Sequence, residues 1–420
     1  MAAHNASPVT VQKALRALAG QGLIEARPGV GTFAPATRAK RPSDHGWQIA
    51  ALGPMDAPVD GTLRMVPNDV VALHSGYPDR TLLPERLVRA ALARASRGDI
   101  SRTPPAGHPE LQAWFAAQLG TATAADVVIT PGSQSGLISI FRALRSRPLL
   151  IESPTYWGAI LAARRAGAHL VPVASGPGGP DPGEVARAFA ETGARAFYAQ
   201  PHFANPTGAR WDAGRTLAIA RDHGAFLIED DWAHDFGIDA EVSPIAARDD
   251  TGHVVYLRSL TKSVSPALRV AAVIARGPIR DRILADRTVE SLYVSGVLQS
   301  AALDVVTQPA WQSHLRSLRR ELRARRDLML DSLRRHAPAA EVTAVPAGGL
   351  HLWLRLPDGT DVDRVVRACE DEGVLVAGGT MWFPSEPSGP YVRLTYSGPD
   401  PAAFPRAAGV LGRAIDGQRI

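Results

Sequence analysis

Apolar runs alternate with alanine- and arginine-rich stretches along most of the chain, from about residue 71 onward. Seven short runs have the continuous apolar character of strands that are buried on both faces. In chain order they read DVVIT, PLLIES, AHLVPV, RAFYAQ, AFLIEDD, HVVYLRS and RVAAVIA. Helical patterns separate them. The sequence therefore predicts a largely parallel α/β sheet, with ligand-binding residues beyond the strand ends.

A long amphipathic segment follows these runs, at residues 311–337. Its spacing predicts one helix, and its many arginines are typical of a solvated face. Three later runs, EVTAVPAGGLHLWLRLP, GVLVAGG and YVRLTYS, predict strands of a second, smaller α/β unit. We therefore expect a large part at about 100–275 and a small C-terminal part at about 276–420.

The beginning of the chain has a different pattern, which predicts a helix and a β-hairpin. Ser7 is a good N-cap, Pro8 suits the first helical position, and Gly20 or Gly22 ends the helix. Apolar residues recur at i, i+3, i+4 and i+7, and these are Val11, Ala14, Leu15 and Leu18. This stripe predicts a buried face. LIEAR and GTF flank the turn signal PGVG, which favours a hairpin.

The opposite side of this helix carries polar side chains suited to phosphates and to base edges in a DNA major groove. They are Thr10, Gln12, Lys13 and Arg16. The hairpin would place Arg27 near a DNA backbone. The alternative is a helix and hairpin packed on the main body. We interpret 1–36 as this module, 37–70 as a linker rich in proline and basic residues near its start, and 71–420 as the body.

Charge strengthens the interpretation of the first segment. The 420 residues include 46 lysines and arginines and 41 aspartates and glutamates, a formal net charge of +5. Residues 1–41 hold six of the basic residues and one of the acidic ones. This excess of five positive charges equals the net charge of the whole chain. This asymmetry indicates a polyanion-binding arm on a neutral body.

Composition excludes several classes of protein. The one cysteine, Cys369, excludes an internal disulfide and a thiolate-clustered metal site, and the twelve histidines lack metal-binding spacing. No apolar run reaches the roughly 18 residues of a membrane span. The start lacks the pattern of a secretory signal. We therefore expect a cytoplasmic protein without a metal site or membrane association.

Polar motifs follow the predicted strands. TPGSQSGL opens a helix whose first amides, at Ser133 and Gln134, suit a phosphate. ESPTYWG places Tyr156 at a loop, where its ring could cover a planar ligand or pack in the core. Asn205 lies in a turn within QPHFANPTGAR. LIEDDWAHDF ends a strand with three acids, and a buried carboxylate among them requires a cationic partner.

Two further motifs supply cations. RSLTKSVSPALRVA places Lys262 between hydroxyl side chains, with Arg269 seven residues later. YVRLTYS contains Arg393. Each feature alone is compatible with a structural role, such as a helix cap or an ion pair.

In order and spacing, these motifs resemble those of fold type I pyridoxal phosphate (PLP) proteins of the aspartate aminotransferase kind, across roughly residues 71–420. The resemblance implies that Lys262 forms a covalent imine with the cofactor aldehyde. It implies that Asp230 pairs with the protonated pyridine nitrogen, with Asp231 as the other candidate.

The same resemblance implies that Asn205 donates to the ring phenolate, Tyr156 stacks on the ring and Arg393 binds the α-carboxylate of an amino acid. It places the phosphate among Ser133, Gln134, Ser259, Thr261 and Arg269. One position departs from the pattern. Where relatives usually have a tyrosine that donates to the phenolate oxygen, this chain has Trp232, so we expect that hydrogen bond to be lost.

The stretch from Ser7 to Phe33 resembles the recognition helix and wing of GntR-type winged helix-turn-helix regulators. Such domains normally carry further helices before this point, so we expect a truncated module. Together with the body, the layout resembles the MocR-type members of that family. This implies a PLP-binding regulator that senses an amine or PLP itself, binds operator DNA and forms a head-to-tail homodimer. The alternatives are an active aminotransferase acting on an α-amino acid, with a vestigial arm, and a cofactor-free scaffold.

Overall fold

We analysed a computed structural model of the chain. It describes residues 7–34, 45–52, 61–67, 69–145, 148–398 and 400–418. The chain divides into two compact units, Met1–Pro58 and Val59–Ile420. Within the described ranges, no helix is both long and apolar enough to cross a bilayer.

The first unit begins with helix α1 (Pro8–Gly20), which starts and ends where the sequence predicts. The Ser7 hydroxyl caps it by accepting a hydrogen bond from the Thr10 amide at 3.2 Å. The expected buried face differs from the structure. Val11 is half-buried and the other stripe residues are exposed, because no described residue of this unit covers them.

The predicted hairpin follows α1. Strand β1 (Glu25–Arg27) pairs antiparallel with β2 (Gly31–Phe33). The stretch expected to be a linker contains a short helix, α2 (Gly46–Leu52). The parts of that predicted linker at 37–44, 53–60 and 68 lie outside the described residues.

The second unit contains the remaining elements. Its helices are α3 (Glu85–Ala95), α4 (Pro109–Leu119), α5 (Ser133–Leu144), α6 (Trp157–Arg165), α7 (Pro182–Thr192), α8 (Gly214–Asp222), α9 (Pro278–Ser291), α10 (Gly296–Thr307), α11 (Pro309–His336), α12 (Val362–Asp371) and α13 (Phe404–Asp416). Its strands are β3 (Val71–Ala72), β4 (Val127–Thr130), β5 (Pro148–Ser153), β6 (His169–Gly176), β7 (Gly179–Pro180), β8 (Ala196–Ala199), β9 (Phe226–Asp231), β10 (Val254–Ser259), β11 (Ala271–Ile274), β12 (Glu341–Val342), β13 (His351–Arg355), β14 (Val374–Leu375), β15 (Ala377–Gly378) and β16 (Tyr391–Thr395).

An eight-stranded sheet forms the large layer, in the order β4-β11-β10-β9-β8-β5-β6-β7. The seven predicted strands are all present, and the edge strand β7 adds an eighth. Strands β10, β9, β8, β5 and β6 are parallel to their neighbours within that series, as predicted. Strand β11 is antiparallel to β10 and β4, because a short connection rather than a crossover helix joins β10 to β11.

A four-stranded antiparallel sheet, β12-β13-β16-β15, forms the smaller layer. The boundary expected near residue 276 differs from the structure. Helix α9 packs on α5, and α10 packs on α3, so both helices belong to the large layer. Conversely, Val71 and Leu73 share a hydrophobic core with Leu352 and Leu394 of the smaller sheet. The smaller part is therefore built from chain on both sides of the large one.

Candidate active site

A cavity of about 350 Å³ lies at the carboxyl ends of the central strands β8, β9 and β10. The parallel register brings their ends to one edge of the sheet, where ligands of α/β proteins bind. Nine of the predicted site residues line it, and they are Ser133, Gln134, Tyr156, Asn205, Asp230, Ser259, Thr261, Lys262 and Arg269.

Lys262 follows β10 and directs its amine at aromatic faces. Its Nζ lies 4.1 Å from the ring centroid of Trp232 and 5.9 Å from that of Tyr77. Burial, reinforced by the charge of Arg393, lowers the pKa of Lys262 to about 7, and Asp230 opposes the shift. The amine is therefore available in its neutral, nucleophilic form near neutral pH. The sequence has only three lysines, and the other two are Lys13 and Lys40.

Asp230 is the last but one residue of β9 and is 1% exposed. Its Oδ2 accepts hydrogen bonds from the Tyr198 hydroxyl at 2.6 Å and from Gln200 Nε2 at 2.9 Å. Its Oδ1 is buried and has no partner in the described part of the chain. Burial raises the pKa of Asp230 to about 6, against the hydrogen bonds from Tyr198 and Gln200. A cationic N–H donor in the cavity would supply the missing partner.

Asp231, the other candidate, makes its contacts elsewhere. Neighbouring residues on a strand point to opposite faces of the sheet, and Asp231 is not among the cavity residues. Its Oδ2 bonds to the Tyr256 hydroxyl and to His234 Nδ1, both at 2.6 Å. Burial works against ionisation, but His234 and the Tyr256 hydrogen bond hold the pKa of Asp231 below its usual value. Of the two aspartates, Asp230 lines the cavity.

Asn205 joins the two layers at the site. Its Oδ1 accepts hydrogen bonds from Arg393 Nη1 at 3.0 Å and from Trp382 Nε1 at 3.2 Å. The Asn205 side-chain NH₂ is thereby left as the donor for a group in the cavity.

Arg393, on β16, reaches the site through Asn205 and is not itself among the cavity residues. Its Nη2 donates to the His74 carbonyl at 2.6 Å, and its Cζ lies 4.6 Å from the Trp382 ring centroid. Burial lowers the pKa of Arg393 to about 9. Its Nε is buried without a partner among the described residues.

One end of the cavity gathers donors suited to a phosphate. Helix α5 begins at Ser133, so its first amides point into this end. Gly132, at φ 89°, allows Arg269 to pack against the turn, since a Cβ there would lie 2.5 Å from Arg269 Nη2. The Thr261 amide donates to Ser259 Oγ, whereas Thr261 Oγ1 is buried with no partner within the described ranges.

Two consecutive hydrogen bonds hold Tyr156 at the cavity. Its hydroxyl donates to Gln134 Oε1 at 3.0 Å, and Gln134 Nε2 donates to the Gly158 carbonyl at 2.8 Å. The side chain of Gln134 therefore positions Tyr156, and its backbone amide lies in the first turn of α5.

Several residues of the site were missed in the sequence analysis: Tyr77, Tyr198, Gln200, His351 and Trp382. A signal existed for two of them. In RAFYAQ, Tyr198 and Gln200 occupy alternate positions of a buried strand, so they share a face, and β8 lies beside β9. The other three come from distant segments that only the fold brings to the site.

The candidate DNA-binding residues are all exposed in the first unit, namely Thr10, Gln12, Lys13, Arg16 and Arg27, although Thr10 takes part in the α1 cap. Arg16 Nη2 approaches Gln12 Oε1 at 3.4 Å. Arg27 pairs with Glu25 at 3.5 Å and lies over the Phe33 ring. The two arginines are thus partly engaged by neighbours.

Comparison with known proteins places this site in context. The family of class I and II aminotransferases matches residues 68–411. The 2-aminoadipate transaminase of Thermus thermophilus is 28% identical over 361 residues, 83% of this chain and 90% of the relative. The uncharacterized HTH-type transcriptional regulator YdfD of Bacillus subtilis is 26% identical over 410 residues, 92% of this chain and 84% of the relative.

The solved structures agree with these relatives. The α-aminoadipate aminotransferase LysN of Thermus thermophilus, in complex with N-(5'-phosphopyridoxyl)-L-leucine, superimposes with a TM-score of 0.79 at 26% identity, covering 86% of this chain and 95% of that one. The architecture is therefore that of fold type I, as the sequence predicted. From the family match and the fold together, this chain belongs to the class I and II aminotransferases.

Proposed function

We propose that this protein is a PLP-binding transcriptional regulator of the MocR type, in which the aminotransferase-like unit senses an amine and the N-terminal unit binds DNA. The observation that carries the proposal is the length of the match to the HTH-type regulator. That match covers 92% of this chain, more than residues 59–420 can supply, and so includes part of the first unit.

The cavity fits the cofactor. Asp230 Oδ1 and Thr261 Oγ1 are buried polar atoms without a described partner, and they would lie against the pyridine nitrogen and the phosphate respectively. The turn at Gly132, the start of α5 and Arg269 form a cationic cradle at the phosphate end. When bound, PLP supplies an aldehyde that reacts with amines and a ring that withdraws electrons from the bound carbon.

Each side chain at the site has a separate role in binding the cofactor or its ligand. Lys262 supplies the neutral amine, and Asp230 holds a proton on the ring nitrogen. The Asn205 amide donates to the ring oxygen. Arg393 offers its free Nε to the carboxylate of an incoming amino acid, and Asn205 orients it. Trp232 covers the Lys262 amine with an apolar face that excludes water.

The first unit provides the surface for DNA. A helix with exposed Gln12, Lys13 and Arg16, followed by a hairpin with Arg27, suits major-groove and backbone contacts. In a head-to-tail homodimer, which we also propose, two such helices would bind paired half-sites.

Selection of bound duplexes from a random-sequence pool tests the proposal. The full chain, saturated with PLP, should enrich one sequence motif, and an amino acid that reacts with the bound cofactor should change the affinity for that motif. No enrichment with or without PLP would contradict DNA binding. Enrichment that no tested amine alters would contradict sensing.

A second candidate function is an active aminotransferase. The specific observation in its favour is the lowered pKa of Lys262, which lets Nζ accept and return a proton near pH 7. Incubating the loaded protein with an amino acid and a keto acid separates the candidates. Catalytic formation of the new amino acid favours the enzyme, whereas a lasting spectral change without transfer favours the sensor.

A further inference from the structure

We propose a second ligand site, for a small oxyanion carrying carboxylate or phosphate groups, on the face of the large sheet opposite the Lys262 cavity. A separate cavity of about 270 Å³ lies there. Its lining includes Trp114, His234, Asp235, Arg258, Trp311 and Arg319. It shares no lining residue with the Lys262 cavity.

Strand alternation separates the two cavities. Ser259 lines the Lys262 cavity, and Arg258, its neighbour on β10, lines the second one. The pair Asp230 and Asp231 on β9 divides in the same way, since Asp231 bonds to His234 of the second cavity. Polar and charged side chains therefore lie on both faces of the sheet near the carboxyl ends of β9 and β10.

Arg258 is the group that points to a ligand. It is 3% exposed, and the only hydrogen bond of its side chain among the described residues joins Nη2 to Asp235 Oδ1 at 3.3 Å. Its Nε and Nη1 are buried and have no partner within the described part of the chain. Trp114 lies over the guanidinium, with its ring centroid 5.0 Å from Cζ. A buried guanidinium so poorly paired is expected to take up an anion.

The cavity is lined by two arginines, Arg258 and Arg319, and by two acids, Asp235 and Glu241. Asp235 also accepts a hydrogen bond from Ser263 Oγ at 2.6 Å, so its carboxylate is engaged on both oxygens. Arg319 adds a donor, and His234 Nδ1 is already engaged by Asp231. The flat rings of Trp114 and Trp311 would enclose a carbon skeleton. An oxyanion would complete the hydrogen bonding of Arg258.

Hydrogen bonds also connect the second cavity to the loop that carries Lys262. Asp235 binds Arg258 on one oxygen and Ser263, the residue after Lys262, on the other. An anion that draws Arg258 away from Asp235 would therefore change the restraint on the loop that carries the reactive amine.

Calorimetric titration of the PLP-saturated chain tests the site, with sulfate, inorganic phosphate and tricarballylate as probes and chloride holding the ionic strength constant. Saturation with PLP fills the phosphate end of the Lys262 cavity. We expect saturable binding of at least one probe, and the preference between phosphate and tricarballylate identifies the ligand's anionic group. Absence of saturable heat with all three probes would overturn the proposal and leave a water-filled cavity.

Variants locate the binding. Arg258→Met should weaken it by at least about 10-fold. Arg319→Met, an exposed change that leaves the core intact, should weaken it by about 2- to 5-fold and serves if Arg258→Met fails to fold. Arg316→Met, an exposed arginine on the same helix, is the matched control and should bind as the parent does. Equal affinity in the parent and both cavity variants would also overturn the proposal.

Discussion

The Nζ of Lys262 lies 4.1 Å from the ring centroid of Trp232, over the face of the indole. The Trp232 Nε1 is buried and has no hydrogen-bond partner among the residues described. At the position where we expected a tyrosine, the indole therefore covers the Lys262 amine and carries no hydroxyl that could donate to a cofactor. We therefore expect this site to bind the cofactor without that hydroxyl donor.

Replacing Trp232 with tyrosine should restore that donor. A hydroxyl that stabilises the ionised ring oxygen would lower, by about 1 pH unit, the pH at which the absorption of the bound cofactor changes. A spectral pH titration of the loaded protein measures this shift. Trp232→Phe, which removes the indole and adds no hydroxyl, is the matched control, and an equal shift in both variants would argue against the hydrogen bond.

The lowered pKa of Lys262 predicts how the cofactor-free protein depends on pH. Only the neutral amine attacks an aldehyde, so the rate of covalent PLP incorporation should rise with pH through a midpoint near 7. A midpoint close to the ordinary lysine value of 10.5 would contradict this account. Stopped-flow absorbance over a pH series makes the measurement.

The stability of the folded protein should also depend on the ionisation of Lys262. Between about pH 7 and 10.5 the unfolded chain holds a proton on Lys262 that the folded chain has lost, so the free energy of unfolding of the cofactor-free protein should rise with pH. Lys262→Met should flatten this rise. Urea unfolding at several pH values provides the comparison, and an unchanged pH slope in the variant would place the titration elsewhere.

Asp230→Asn tests the contact with the ring nitrogen. The amide retains the shape of the carboxylate but cannot ionise to balance a ring cation, so PLP affinity should fall by about 10-fold or more. Asp231→Asn, on the other face of β9, is the control and should bind PLP nearly as the parent does. Titration of the cofactor-free protein with PLP gives both constants, and equal losses would show that Asp230 has no special role.

The DNA hypothesis predicts a salt effect. Alanine in place of Lys13 or Arg16 should weaken binding to every sequence and reduce the slope of log affinity against log salt by about 1 for each phosphate that the variant no longer neutralises. Fluorescence anisotropy with the selected duplex at several salt concentrations measures the slope. Arg316→Ala, in the second unit, is the control. Unchanged slopes in the Lys13 and Arg16 variants would remove α1 from the interface.

Local patterns were sufficient to predict the strands and the residues that follow them. Each of the seven apolar runs forms a strand, and Lys262, Asp230 and Asn205 meet in one cavity because parallel strands end at one edge. Side chains alternate between the two faces of β9, so only one of the two adjacent aspartates can line that cavity. The sequence alone did not show which of the two faces carries the cavity.

Long-range packing explains what the sequence did not reveal. The pattern of α9 predicts an apolar face but not the element that receives it. Helix α9 packs on α5 of the large layer, although it follows the boundary expected near residue 276. Tyr77, His351 and Trp382 reach the site from segments far apart in the chain. The stripe of α1 is exposed in the described unit, because periodicity identifies an apolar face and not the presence of a partner.

Borohydride reduction of the PLP-loaded protein, followed by peptide mass mapping, tests the central claim most directly. Because the sequence has only three lysines, Lys13 and Lys40 are internal controls for nonspecific modification. The account predicts a pyridoxyl group on the peptide that contains Lys262, and none there in Lys262→Met. A reduced protein that carries no pyridoxyl group on that peptide, or carries it equally on the other two lysines, would contradict it.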